Sequence, residues 1–247
     1  MICVICERTI EPGEPTKRVS RRSRTGGTLP PAYSHKLCRR RPSTVPFITS
    51  WSSEIVTDPP VTYRLLGGIR YADEVASDRT ADGVLIMRRP DRQGVGEPKY
   101  SMVHPGRQFR AMTELLCQVC GGPADQNERG TLWLLDDSRE DWSGWPNDLV
   151  TTHPPVCLQC VRKAREECRH MWAGNVLARV RTSEVYGVLG RRYTASRLGP
   201  LPVHRDIVPF GSPLLGWTVA AQLVRALDDC TVVTLDEELA VAAATAH

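Results

Sequence analysis

Cysteines 117, 120, 157 and 160 fall into two CxxC pairs, Cys117-Gln-Val-Cys120 and Cys157-Leu-Gln-Cys160, with 36 residues between them. Four thiolates so spaced can close a tetrahedral zinc site. Each pair bends its own backbone around the ion, and Gly121 and Gly122 after the first pair permit the tight turn this requires. A second set stands at the start of the chain: Cys3-Val-Ile-Cys6, then His35-Lys-Leu-Cys38 after 28 residues. Zinc accepts three thiolates and an imidazole as readily as four thiolates. The expected ligands are therefore Cys3, Cys6, His35 and Cys38 for one ion and Cys117, Cys120, Cys157 and Cys160 for another, with both Zn2+ ions structural and neither keeping an open position. Cys168 lies eight residues beyond Cys160, about 12 Å along a helix, too far to share its ion. Cys230, beside an expected strand, reads as an ordinary buried thiol.

Residues 115–172 resemble the treble-clef zinc finger, in which a knuckle gives the first ligand pair, a hairpin follows, and a helix N-terminus gives the second. The knuckle would be Cys117–Gly122, the hairpin would use Thr131–Leu135 and the loop after it, and the helix would begin near Cys160. The resemblance implies a fold and a metal, not an activity. Catalytic relatives of this finger, the HNH nucleases, carry a histidine on the first hairpin strand to activate water. Here that strand reads Thr-Leu-Trp-Leu-Leu, and Arg162, Lys163 and Arg165 occupy the helix where a metal-binding His would be needed. An HNH-like nuclease is thus the least favoured alternative, and a non-enzymatic reading leads.

Charge is unevenly distributed. Residues 1–50 hold ten Lys/Arg against three Glu, whereas the rest of the chain is slightly acidic. Arg18, Arg21, Arg22, Arg24, Lys36, Arg39, Arg40 and Arg41 would crowd around the first zinc set, and a rigid scaffold holding so many cations can neutralise several phosphates. Nucleic acid is the partner expected there. Segment 133–148, with Trp133, Trp142 and Trp145 among Asp136, Asp137, Glu140, Asp141 and Asp148, suits a protein partner or a local mini-core instead.

The elements that must position these residues give an α+β reading: two small zinc-binding modules with short antiparallel sheets and a few helices. Four segments are expected: a zinc module with an Arg-rich loop (1–45), a linker and β-hairpin region (46–110), the four-cysteine module (111–175), and C-terminal strands with an amphipathic helix (176–247). In the second, 61–75 and 83–89 read as strands joined by an acidic turn, and 104–118 as a helix with Phe109, Met112, Leu115 and Leu116 on one face. In the last, 175–181, 184–193 and 204–210 read as three strands. Residues 212–227 read as the helix, because Leu215, Val219, Leu223 and Leu227 recur at helical spacing; the Ala-rich end reads as a fraying tail. His104, His153 and His204 show no partner in sequence.

A chain of 247 residues with 41% hydrophobic and 24% charged residues can bury a core. No apolar run approaches the roughly 20 residues of a membrane span, and the N-terminus has neither the basic nor the apolar stretch of a signal peptide. A cytoplasmic protein without a membrane partner is expected. The expected function is a zinc-stabilised, nucleic-acid-associated or regulatory binding protein, with a protein–protein adaptor or accessory factor of a larger assembly as the alternative.

Overall fold

Long runs of β-branched and apolar residues, Val176–Val180 and Val219–Val233 above all, set the framework, seen in a computed structural model that describes residues 9–10, 12–19, 32–35, 44–65, 67–167 and 174–245. The chain divides into two units, 1–43 and 44–247. In the first, β1 (Thr16–Val19) pairs antiparallel with β2 (Ala32–His35), from Thr16 opposite His35 to Val19 opposite Ala32.

The second unit opens with β3 (Thr49–Trp51), β4 (Val61–Tyr63), β5 (Ile69–Tyr71), β6 (Leu85–Ile86) and β7 (Pro98–Val103), followed by helix α1 (Pro105–Thr113). Next come β8 (Gln126–Asn127), β9 (Gly130–Asp136), β10 (Leu149–Thr151) and α2 (Leu158–Glu167). It closes with β11 (Asn175–Thr194), β12 (Leu201–Pro209), β13 (Thr218–Val233) and α3 (Leu235–Thr245). A seven-stranded sheet runs in the order β10-β13-β11-β9-β8, with β12 also on β11 and β6 also on β13. Both strands and helices are present, so a mixed α+β chain is correct; a sheet with strands of 20 and 16 residues is not the short-sheet architecture expected.

β11 pairs with β13 along most of its length. Its other edge is shared: residues 175–180 take β9, and Gly187 to Thr194 take β12. Along β9, Leu132 and Leu134 enter one core with Cys117, Val156, Cys160 and Leu177, whereas Trp133 and Leu135 enter another with Trp145, Val176, Ala178 and Leu227. Successive side chains of a strand point to opposite faces, so this run is buried on both. Farther along the sheet, Phe109 and Met112 of α1 pack on Val188, Val208, Ala220 and Leu223.

Four sequence expectations change. The amphipathic helix over 212–227 is instead a 3-10 turn (Pro213–Trp217) running into β13. A spacing of four residues places side chains on one face of a regular strand as well as of a helix, as for Leu223 and Leu227, whereas Val219 lies across a bulge from Leu223 and packs instead with Ile69, Tyr71 and Leu85. The two expected strands 175–181 and 184–193 are one, bent by bulges at Val185/Gly187 and Leu189/Gly190. The hairpin forms within 61–71, as β4 and β5, while β6 joins β13 in parallel. The Ala-rich end is helical: Thr234 Oγ1 accepts the Glu237 N–H at 3.3 Å and Glu237 Oε2 accepts the Thr234 N–H at 2.8 Å, a reciprocal cap.

Candidate metal centre

Cys117 ends the turn that follows α1. Leu115 takes a left-handed φ of 53°, and the Leu116 N–H returns to Ala111 O at 2.9 Å, stopping the helix and turning the chain toward the cysteines. A knuckle then closes on itself: Cys117 N–H donates to Gly122 O at 2.7 Å and Gly121 N–H to Cys117 O at 2.8 Å. Gly121 sits at φ +73, and a Cβ there would lie 2.7 Å from Cδ2 of Phe47, so both conformation and space demand glycine. The second pair is delivered by α2, where Cys157 O accepts the N–H groups of Cys160 and Val161 at 3.0 and 3.2 Å. Asp125 N–H to Val156 O at 3.0 Å and Val156 N–H to Leu132 O at 2.9 Å stitch the two halves together.

The four Sγ atoms all lie within 4.8 Å of one another, and Cys120 and Cys157 are 3.8 Å apart. Ligands about 2.3 Å from one ion at tetrahedral corners stand about 3.8 Å from each other, so the cage fits zinc. Cys117 and Cys160 are buried and Cys120 is exposed. Burial pushes the Cys117 thiol up to about 11, against N–H donors from Cys120, Cys157 and Val119, and pushes Cys160 up as well. Burial acts the same way on Cys120, but the Gly122 N–H and the neighbouring thiols outweigh it and hold that thiol below its ordinary range. Such a cluster of thiols suits a cation at its centre, which replaces the protons and makes four adjacent thiolates tolerable. These four cysteines, as expected, come together as a site consistent with zinc binding.

The first expected set falls on residues whose side chains are outside the described part of the chain. Cys3, Cys6 and Cys38 lie outside the described residues, and so does the side chain of His35, whose backbone ends β2 opposite Thr16. Two separate zinc modules are therefore not shown. Of the expected nucleic-acid contacts, Arg18 is exposed on β1, and Arg21, Arg22, Arg24, Lys36, Arg39, Arg40 and Arg41 lie outside the described residues. In segment 133–148, Trp133 and Trp145 are buried in the sheet core, with Trp142 part-exposed.

A second group of ligand-type side chains, Glu54, Asp91 and His104, also comes together among the described residues, a grouping no motif announced. Its centre is filled by Arg107. Nη1 donates to Glu54 Oε1 at 2.7 Å and to Asp91; Nη2 donates to Glu54 Oε2 at 2.8 Å and Thr49 O at 2.9 Å; Nε donates to Phe47 O at 2.8 Å. His104 Nδ1 accepts the Arg107 N–H at 3.3 Å, which leaves Nε2 to donate to Pro90 O at 3.2 Å. Both ring nitrogens are used, and burial with the nearby Arg107 keeps the imidazole neutral to a pH below its ordinary range. This is a buried ion-pair clamp rather than a metal site. Arg107 also reaches the cysteines indirectly, since Phe47 N–H donates to Val119 O of the knuckle at 3.0 Å.

The chain matches no family model, no curated protein and no solved structure. Its site is therefore read from its own side chains alone.

Proposed function

We propose that the protein is a zinc-stabilised binding protein without a catalytic centre, and that its Arg-rich N-terminal unit contacts nucleic acid. Cys117, Cys120, Cys157 and Cys160 would hold one structural Zn2+ in a treble-clef-like module; Cys3, Cys6, His35 and Cys38 would hold a second. The observation that carries the reading is the closed cage of four mutually adjacent Sγ atoms: four thiolates saturate tetrahedral zinc and leave no position for water or substrate. The order knuckle, β8–β9 hairpin, α2 supports the treble-clef likeness, although Thr131–Leu135 form the second strand of that hairpin, with its turn before them, where the sequence suggests the first strand with the loop after. When bound, zinc supplies the cross-link between knuckle and helix. Support for nucleic acid comes from the excess of ten Lys/Arg over three Glu in residues 1–50 and from Arg18 standing exposed on its strand. The adaptor alternative is weakened because Trp133 and Trp145 are buried, and the nuclease alternative because β9 carries no histidine.

Metal analysis of the full-length protein should return two zinc ions per chain, falling to one in Cys160→Ser. One zinc in the unaltered protein removes the N-terminal site; none removes the whole reading. Binding to duplex DNA and to RNA, measured across a salt series, should weaken steeply as salt rises, and Arg21→Ala with Arg22→Ala and Arg24→Ala should reduce the log–log slope by about 1 per lost contact. Absent or salt-insensitive binding would sink the nucleic-acid assignment.

A further inference from the structure

Three turns of the second unit meet beside one end of the long sheet: the one between β4 and β5 that holds Arg64, Leu65, Gly67 and Gly68, residues 195–200 between β11 and β12, and the 3-10 turn Pro213–Trp217. They are fastened to each other. Tyr63 Oη donates to Ser196 O at 2.6 Å and accepts the Ser196 N–H at 2.8 Å. The Tyr63 and Trp217 rings meet edge to face at 6.2 Å. Gly68 packs so closely on the third turn that a Cβ there would stand 2.2 Å from Gly216 O.

From this joined set, leucines project into solvent. Leu65 is 99% and Leu198 98% exposed, with Leu201 at 50% and Leu214 at 40%. Single exposed apolar residues are ordinary, but two fully exposed leucines on turns bonded to each other are an unusual pairing that points to a partner. The three segments themselves carry charge of one sign. Segments 61–71, 193–205 and 210–217 contain no Asp or Glu, while Arg64 precedes Leu65 and Arg197 precedes Leu198.

We propose that these turns dock the protein on the surface of an anionic phospholipid bilayer, with Leu65 and Leu198 entering the acyl boundary and Arg64 and Arg197 meeting lipid phosphates. The leucines stand out on turns, a shape suited to a soft medium that closes around each side chain. Tyr63 and Trp217 lie behind them, amphipathic rings of the kind that settle at the headgroup level, and paired apolar and cationic contacts are what reversible interfacial binding uses. No transmembrane segment is involved, in keeping with the absence of any helix among the described residues long and apolar enough to cross a membrane. The inference is independent of the metal and of nucleic acid.

The test is co-sedimentation of the full-length protein with vesicles of phosphatidylcholine mixed with phosphatidylglycerol, against vesicles of phosphatidylcholine alone. Binding to the mixed vesicles is expected, weakening as salt rises. Leu65→Ser and Leu198→Ser should each lower the partition coefficient roughly tenfold, as expected for withdrawing one leucine from an apolar medium, with the thermal melt unchanged because both side chains are free of the core. Leu198→Trp should keep binding and show a blue-shifted emission on mixed vesicles. No vesicle binding, or binding by both serine variants as strong as that of the unaltered protein, would overturn the proposal. So would leucine variants that abolish self-association or a protein contact while vesicle binding persists.

Discussion

Glu54 shows how one buried carboxylate can organise a neighbourhood. Burial alone would raise its pKa, but the Arg107 guanidinium and the N–H groups of Trp51 and Arg92 outweigh that and hold it down to about 2, from an ordinary value of 4.5. A carboxylate depressed in the folded state stabilises it fully above its unfolded pKa and loses that contribution as pH falls. Unfolding in urea should therefore show stability declining between about pH 4.5 and pH 2, and Glu54→Gln should flatten this group's share of the slope while costing about 3 kcal/mol at neutral pH, since Arg107 loses its main counterion. Gly121→Ala should cost about 2 kcal/mol through its left-handed φ and its collision with Phe47, with faster zinc loss to a chelator as the second readout. The cysteine pairs were legible in sequence because their chemistry is written in short, fixed spacings. Arg107, Glu54 and Asp91 were not: the partners stand 53 and 16 residues from the arginine, and a lone charged residue in sequence looks solvated until its neighbours are known.

At the scale of elements, the helix after His104, strand β9 and the helix at Cys160 were readable, as was the mixture of strand and helix. The helical reading of 212–227 has a physical origin in a four-residue spacing that both periods admit, and the β-branched Thr218, Val219 and Val224 within it weigh toward a strand. In the strand, the four consecutive residues 218–221 are all buried, which the single apolar stripe of an amphipathic helix would not give. Leu227→Ala should accordingly cost 2–5 kcal/mol, roughly, by opening a cavity beside Trp133 and Trp145, measured as a lowered urea midpoint. The terminal helix carried a legible signal that went unused, the Thr-x-x-Glu of its cap. Thr234→Ala should remove about 1 kcal/mol from that helix, visible as faster amide exchange in residues 235–240.

Across the whole second unit, the cysteine cage is braced from two sides by buried arginines. Arg107 acts on the knuckle through Phe47. Arg179 of β11 donates through Nη2 to Asp125 Oδ1 at 2.6 Å, and through Nε at 3.0 Å and Nη2 to Glu238 Oε2, so the segment leaving the knuckle, the sheet and α3 converge on one guanidinium. Glu238→Gln would leave Arg179 with Asp125 as its remaining carboxylate, and should both lower stability by about 3 kcal/mol and speed zinc release, the latter followed with a chromogenic chelator. Such long-range convergence is invisible to local pattern, because it depends on which strands become neighbours.

β11 ties the two ends of this unit to one beam. Its first half carries the metal-side core, its second half the turns with the projecting leucines, and β13 runs beside both. A cut within β11 or β13 would leave each fragment with a truncated beam and an unpaired edge, so neither end of this unit should fold when expressed without the other, which far-UV circular dichroism of the two fragments would show.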